Sequence, residues 1–160
     1  PKRLARFGLE IHLDKSQLLK AGHTEAMKAN KRKEKLTTFN FLGFTCYWGK
    51  GRTGFWRLMY TSRRDRFATK LKSMREFLWR NLTTPDEKQL MKALIRVVKG
   101  WMGYHAISDN DRRVGQFLHL TRRLLFKWVN RRGGRCKTNW GKFELYPLPM
   151  KLRDRECFKP

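Results

Sequence analysis

The chain has 160 residues, and its 38 Lys and Arg against 13 Asp and Glu give a formal net charge of +25 at pH 7. With 40 % hydrophobic and 13 % aromatic residues it can fold as one domain or as two small ones, which excludes a wholly disordered chain. Charge of this size favours a polyanionic partner, most commonly nucleic acid, and no apolar run approaches the roughly 20 residues that would span a membrane.

The first forty residues predict a helix end, a strand and a charged loop. Pro1–Phe7 has the character of the last turns of a basic helix, and Gly8 follows where a helix commonly ends. Apolar and polar residues then alternate from 9 to 13, which predicts a half-buried strand. The basic stretch from 22 to 38 lacks hydrophobic periodicity and predicts a solvated loop, with phosphate contact as the alternative. Because the chain begins at Pro1 inside an apparent helix, we expect it to be a piece of a longer protein.

An aromatic ribbon is the next predicted element. Residues 39–48 alternate with period two around Gly43, which is typical of a strand pair with a tight turn or a close backbone approach. The glycine-rich stretch 49–54 predicts another turn, and residues 55–60 predict a returning strand. Large rings lie on both faces of this ribbon. The pattern therefore fits either an ordinary core hairpin or a hairpin with one face turned to a partner.

Three helices should follow. Each is preceded by the capping-box pattern, a Ser or Thr with a carboxylate three residues later, at 62–65, 84–87 and 108–111. Pro85 would take the first helical position of the second helix. This helix carries two adjacent apolar stripes and should be the central one of a three-helix bundle. The predicted fold class is thus α+β, a short antiparallel β segment followed by three helices. The predicted apolar residues are Phe67, Leu71, Met74 and Leu78; Leu90, Leu94, Val97, Trp101 and Tyr104 with Met91, Ile95, Val98 and Met102; and Val114, Phe117 or Leu118, Thr121, Leu125 and Trp128.

The third predicted helix has an unmixed cationic side. From Arg112 to Arg135 there are eight Lys or Arg residues and no Asp or Glu. His119, Arg123, Lys127 and Arg131 recur every four residues and so share one side, opposite much of the apolar stripe. A solvated helix face usually mixes signs, because like charges at i and i+4 repel. We therefore predict that this stripe contacts phosphates.

The remaining residues set domain bounds and compartment. Gly133–Gly134 should end the third helix, and Trp140 and Phe143 should anchor the tail by packing, whereas the prolines at 147 and 149 exclude a long regular element. We divide the chain into 1–60, 61–135 and a C-terminal extension, 136–160.

The three cysteines, Cys46, Cys136 and Cys157, are odd in number and far apart, which favours a reducing compartment over a disulfide framework. The histidines at 12 and 23 have no ligand cluster nearby, so no metal site is predicted.

Four stretches together resemble the end of a group II intron-type reverse transcriptase. Gly8–Ser16 is similar to the last palm segment of that family, and Phe39–Phe44 is similar to its primer-grip hairpin. Lys99–His105 resembles the Gly-Trp-x-x-Tyr-Tyr signature of the thumb, or maturase-specific X domain, with His105 in place of the second Tyr. The tail with Trp140, Phe143 and the prolines is like the usual ending of the family.

The resemblance implies a set of functional residues. Lys15 would be the palm lysine near the incoming nucleotide, a general acid or charge clamp. The residues implied to contact nucleic acid are Phe41, Leu42 and Gly43 at the primer terminus, with Arg63, Arg66, Lys70, His119, Arg123, Lys127 and Arg131 on the thumb. Implied partners are intron RNA, a template–primer duplex with its DNA primer, and the fingers and remaining palm of the parent polymerase, in a bacterial cytoplasm or an organelle.

The chain departs from that family in one respect that matters for chemistry. The family holds its paired catalytic aspartates in a Tyr-x-Asp-Asp turn, and no Asp-Asp pair occurs in this sequence. Two-metal phosphoryl transfer needs clustered carboxylates for Mg²⁺. The expectation is therefore that the parent uses Mg²⁺, whereas this chain needs no cofactor and is inactive as a polymerase alone. The rival hypotheses are a stand-alone basic RNA-binding splicing or scaffold module, and a generic basic nucleoid or ribosome-associated protein.

Overall fold

A computed structural model describes residues 2–12, 16, 18–19, 22–132 and 138–143. The chain divides into one unit of 1–39 and 47–59 and a second of 40–46 and 60–160. Helices and strands are combined, with a three-stranded antiparallel sheet followed by helices, which confirms the α+β class. The elements are α1 (Lys2–Ala5), α2 (His23–Lys31), β1 (Phe39–Phe41), β2 (Phe44–Lys50), β3 (Trp56–Ser62), α3 (Arg64–Arg80), α4 (Glu87–His105), α5 (Asp111–Arg132) and α6 (Trp140–Phe143).

The first helix ends as predicted, but the strand after it does not form. Gly8 has a φ of +67°, and the amides of Gly8 and Leu9 donate to the carbonyls of Ala5 and Leu4, which is the Schellman arrangement. Residues 9–12 are irregular, and the side chains of Leu9 and Ile11 are exposed. The strand prediction for this segment is wrong, because an alternating pattern becomes a strand only where a neighbouring strand completes its hydrogen bonds.

The predicted loop after residue 22 is also wrong, since His23–Lys31 is helical. Ala26 is its single buried residue, so the hydrophobic pattern that would reveal a helix is almost missing. The helix is supported locally instead. Lys28 pairs with Glu25 at 3.2 Å, three residues apart on an exposed face.

The ribbon forms as two consecutive hairpins in the order β1-β2-β3. Leu42 and Gly43 make the first turn, and the second is closed by the Gly51 amide, which donates to the Phe55 carbonyl at 2.9 Å. Phe44 and Cys46 are buried on one face of β2, as the period-two pattern predicts. Burial raises the pKa of the Cys46 thiol.

The three predicted helices are present as α3, α4 and α5, but their predicted capping boxes are not. Ser62 is the buried last residue of β3, and Arg63 occupies the position before α3 without a side-chain cap. Asp86 caps α4, its carboxylate accepting from the Gln89 amide, so Pro85 precedes the cap instead of opening the helix. Before α5, the buried Asn110 takes the place predicted for the exposed residue at 108.

One hydrophobic cluster joins these helices, and α5 is at its centre. The buried side of α5 packs against both α3 and α4, and most closely against α3, so the prediction that the second helix is central is wrong. The stack of Trp101 on Phe117, with ring centroids 3.8 Å apart, joins α4 to α5. Val97 and Tyr104, predicted as apolar-stripe residues of α4, are exposed. The fully or almost fully buried residues of α5 are Val114, Phe117, Leu118, Thr121, Leu125, Trp128 and Val129.

The short helix α6 covers one side of α5. Phe143 is buried and Trp140 stacks on Phe126 with centroids 3.9 Å apart, which confirms both predicted anchors. The amide of Thr138 donates to the Asn130 side chain at 2.7 Å. The prolines at 147 and 149 and the glycines at 133 and 134 lie outside the described residues. None of the helices in the described ranges is long and apolar enough to cross a membrane.

Candidate nucleic-acid interface

The cationic stripe predicted on the third helix lies on the exposed side of α5. His119, Arg123, Lys127 and Arg131 are all exposed, whereas Thr121, Leu125 and Trp128 between them are buried. The two faces arise from the helical repeat, because residues four apart share a side and residues two apart do not. Three permanent positive charges are therefore presented in a row along α5.

A groove between α3 and α5 extends this charge onto a second helix. It consists of two adjoining depressions of about 190 and 380 Å³, and we call it the α3–α5 groove. Lys72 and Arg75 line it from α3, and Arg123, Lys127 and Arg131 line it from α5. Its floor is apolar, and the residues that form it are Leu71, Leu78, Leu82, Leu120, Leu124 and Trp128.

Two tryptophans belong to the α3–α5 groove. Trp79 on α3 is 62 % exposed, and the Arg131 guanidinium lies 5.1 Å from its ring centroid. Such a pair is held by a cation–π interaction. Trp128 lines the same depression and is buried, and its indole N–H has no acceptor among the described residues.

The other cationic residues predicted for nucleic-acid binding do not line this groove. Arg63 is held by Asp65 in a two-pronged ion pair, Nε to Oδ1 at 2.7 Å and Nη2 to Oδ2 at 2.6 Å. That hydrogen bonding raises the pKa of Arg63 and lowers the pKa of Asp65. Arg66 is exposed and Lys70 is half-buried on α3, and His119 is exposed on α5. The structure thus gathers three of the seven predicted cationic or histidine residues, with two more from α3.

The tip of the first hairpin presents an apolar pair to solvent. Phe41 is 61 % exposed and Leu42 is 68 % exposed. Leu42 and Gly43 have φ values of +45° and +80°, which is the pattern of a type I′ turn with Leu where Asn or Gly is usual. A left-handed leucine is strained by about 1–2 kcal/mol. Something must hold this turn in place.

Contacts from the helical part of the same unit hold it. The Tyr104 hydroxyl donates to the Leu42 carbonyl at 2.6 Å, and the Arg63 amide donates to the Gly43 carbonyl at 3.0 Å. The Phe44 ring stacks on Tyr104 with centroids 5.5 Å apart. The hairpin tip is therefore fixed to the end of α4 and the start of α3, while Phe41 and Leu42 remain free to contact a partner.

A buried polar joint lies beneath this clamp. Asn110 accepts from the Ser62 amide at 2.8 Å and donates to the Ser62 hydroxyl at 2.8 Å and to the His105 carbonyl at 2.7 Å. His105 stacks on Trp101 with centroids 4.1 Å apart, and its Nδ1 lies 3.0 Å from the Trp101 carbonyl. Burial lowers the pKa of His105. The neutral imidazole can donate from Nδ1 to that carbonyl, which fixes its tautomer.

The described residues do not fit a magnesium site. Within the described ranges, no three His, Cys, Asp or Glu side chains come together in a way that could hold a metal ion. Lys15, the residue implied to act near the incoming nucleotide, lies outside the described residues.

Sequence reasoning missed Lys72, Arg75 and Trp79, the α3 side of the groove. A signal was available, because these three residues follow one another at spacings of three and four and so share a side of α3. Trp79 directly follows the core residue Leu78 and lies off the apolar stripe. A large ring outside the stripe and on the cationic side marks it as a surface aromatic.

The helical part of the chain carries a recognisable family pattern. Residues 64–145 match the model of the group II intron maturase-specific domain. The match covers α3, α4, α5 and α6, just over half of the chain. The chain therefore belongs to the group II intron maturase-specific domain family, and membership implies interaction with intron RNA and a part in its splicing. Comparison with curated proteins and comparison with solved structures each found no match.

Proposed function

We propose that this chain is the RNA-binding C-terminal part of a group II intron-encoded reverse transcriptase and maturase. In this role the helices form the three-helix thumb, which grips intron RNA during splicing and the template–primer duplex during RNA-directed DNA synthesis. The observation that supports it best is the row of exposed cations on α5, joined across the α3–α5 groove by Lys72 and Arg75.

The chemistry of the duplex explains why such a surface suits it. An A-form duplex presents a shallow minor groove and regularly spaced phosphates, so shape and charge are recognised more than sequence. Arg123, Lys127 and Arg131 are spaced by one helical turn each and can follow a phosphate backbone along α5. Among the described residues no carboxylate lines the α3–α5 groove, so these charges are not neutralised by that part of the chain.

The hairpin tip would act as the primer grip. Gly43 lacks a Cβ, and its backbone can approach a primer terminus closely. Phe41 and Leu42 are exposed on the same turn and would contact the DNA primer, while Tyr104 holds the turn in position. Lys15 would serve the departing pyrophosphate in the complete enzyme, together with Mg²⁺ held by the fingers and palm of the parent.

A triple substitution with a matched control tests the RNA-binding role. Replacing Arg123, Lys127 and Arg131 by Gln should weaken binding of a hairpin RNA and make the log–log salt slope shallower by about 2–3, since each lost phosphate contact removes about 0.7–0.9. Thermal stability should stay nearly unchanged, because exposed charges contribute little to folding. The measurement is fluorescence anisotropy across a salt series.

The control removes three exposed cations from α4, at Lys92, Arg96 and Lys99. We expect it to change the salt slope much less, because those residues lie outside the α3–α5 groove. Equal losses from the two triples would show that binding follows net charge alone and would contradict an interface on α5. A stand-alone splicing module remains the second candidate, and primer extension by the complete reading frame distinguishes it from a polymerase.

A further inference from the structure

The α3–α5 groove has a feature that binding to a regular duplex does not explain. Its floor is made of leucine side chains and Trp128, and the smaller depression, about 190 Å³, is lined by both Trp79 and Trp128. Phosphates of a paired duplex would meet the cationic rim and leave this apolar floor empty. A ligand that fills it needs both a flat apolar group and a negative charge.

The positive charge of the rim indicates that the ligand carries a negative charge. Two cations on α3 and three on α5 face the same groove, and none of the residues that line it in ranges 22–132 and 138–143 is a carboxylate. Like charges brought together in this way repel, and an anion relieves that repulsion. The ligand is therefore anionic at its edge.

Trp79 decides what the flat part of the ligand is. Exposed aromatic rings beside arginine are the platforms on which unpaired bases stack, since every base has a π-face. Arg131 lies over the Trp79 ring and holds it, and most of the indole is still open to solvent.

We infer that the α3–α5 groove receives a single unpaired nucleotide extruded from the bound RNA. Its base stacks on Trp79 above the leucine floor, and its phosphate is held by Arg75 and Lys127. This inference rests on the proposed RNA-binding function and adds a preference for bulged over fully paired RNA. The surface then recognises a defect in a duplex as well as its backbone.

Three hairpin RNAs that differ at one position test the inference with the complete chain. One is fully paired, one carries a single bulged uridine, and one carries an abasic residue at the bulge. The bulged and abasic RNAs have the same number of phosphates, so electrostatics cannot separate them. We expect the uridine bulge to bind about 5- to 150-fold more tightly than the abasic bulge, the range expected for stacking of one base.

A variant places that preference on Trp79. Trp79→Leu should abolish the difference between the uridine and abasic bulges, whereas Phe55→Leu, which removes another exposed ring outside the groove, should keep it. Indole ¹H–¹⁵N spectra give a second measurement on the unaltered chain. The Trp79 signal, assigned by its loss in Trp79→Phe, should shift with the uridine bulge and not with the abasic bulge.

The possible outcomes distinguish failure of this inference from failure of the proposed RNA-binding function. Equal affinity of the unaltered chain for all three RNAs, with a steep salt dependence, overturns the inference and leaves RNA binding in place. Failure to bind any of them overturns the proposed function itself. An oligoglutamate that shifts the Trp79 signal more strongly than the uridine bulge would show that the groove takes an acidic peptide, which also overturns the inference.

Discussion

Replacing Asn110 by Ala should destabilise the helical unit more than any substitution of an exposed residue, because the amide group of Asn110 makes three buried hydrogen bonds. Asn110 is fully buried and Ser62 is 2 % exposed. Truncation would leave the Ser62 amide and the Ser62 hydroxyl buried without the partner that Asn110 provides, and each such group costs about 1–3 kcal/mol. The His105 carbonyl keeps the bond from the Ile107 amide at 2.9 Å. The expected loss is about 2–6 kcal/mol in the free energy of unfolding, a large share of the 5–15 kcal/mol of a typical domain.

Urea denaturation at fixed ionic strength measures this loss. The control is Asn40→Ala, since Asn40 is exposed and its oxygen accepts one bond from the Thr45 hydroxyl at 2.8 Å. That change should stay within about 0.5 kcal/mol. Asn110→Asp keeps an acceptor for the Ser62 amide but loses both donors, so it should also be strongly destabilised. A loss below about 1 kcal/mol in both Asn110 variants would refute the view that this side chain joins β3 to α4 and α5.

Two further predictions concern the end of α4. Tyr104→Phe should cost no more than about 1.5 kcal/mol, the net value of one hydrogen bond, yet should speed hydrogen exchange at the amides of residues 42–44, and unchanged exchange would show that the Leu42 bond does not hold the turn. Burial lowers the pKa of His105, so the unfolded state binds more protons than the folded state as the pH falls. The contribution of the neutral His105 side chain to stability is therefore complete above about pH 6.5, and it is lost as the pH falls from that value toward the folded pKa. Thermal unfolding between pH 5 and 8 should thus be less pH-dependent in His105→Tyr than in the unaltered chain, and identical profiles would contradict this.

The elements that the sequence predicts well are those whose pattern repeats. Apolar residues recur every three or four positions through α3 and α5, and Phe44 and Cys46 alternate along β2, so burial follows directly from spacing. The helix α2 could not be predicted from spacing, because Ala26 is its single buried residue and no apolar pattern repeats along it. Residues 9–12 fail in the opposite way, since their pattern is correct for a strand that has no neighbour within the described residues.

The helix starts show why local motifs fail where a tertiary contact competes for the same side chain. Ser62 has the spacing of a capping residue, but its hydroxyl and amide bond to Asn110, which is 48 residues away. A capping rule considers only residues within one helical turn, so it cannot predict a contact between residues so far apart in the sequence. The α3–α5 groove is non-local in the same sense, because spacing places Lys72, Arg75 and Trp79 on one side of α3 but does not show that this side faces Lys127 of α5.

The stretch Lys99–His105, which resembles the signature of the family, acquires a physical meaning from these contacts. Trp101 is buried and stacks on Phe117 of α5, so it fixes the end of α4 to the core. Three residues on, one helical turn away, Tyr104 reaches the Leu42 carbonyl, and His105 packs between Trp101 and Phe44. The strained Leu42 turn keeps its conformation because α4 ends beside it. We therefore expect the spacing of Trp101 and Tyr104 to matter more than the identity of the residues between them, since Gly103 is exposed and an added Cβ there would meet no atom of the described residues within 4 Å.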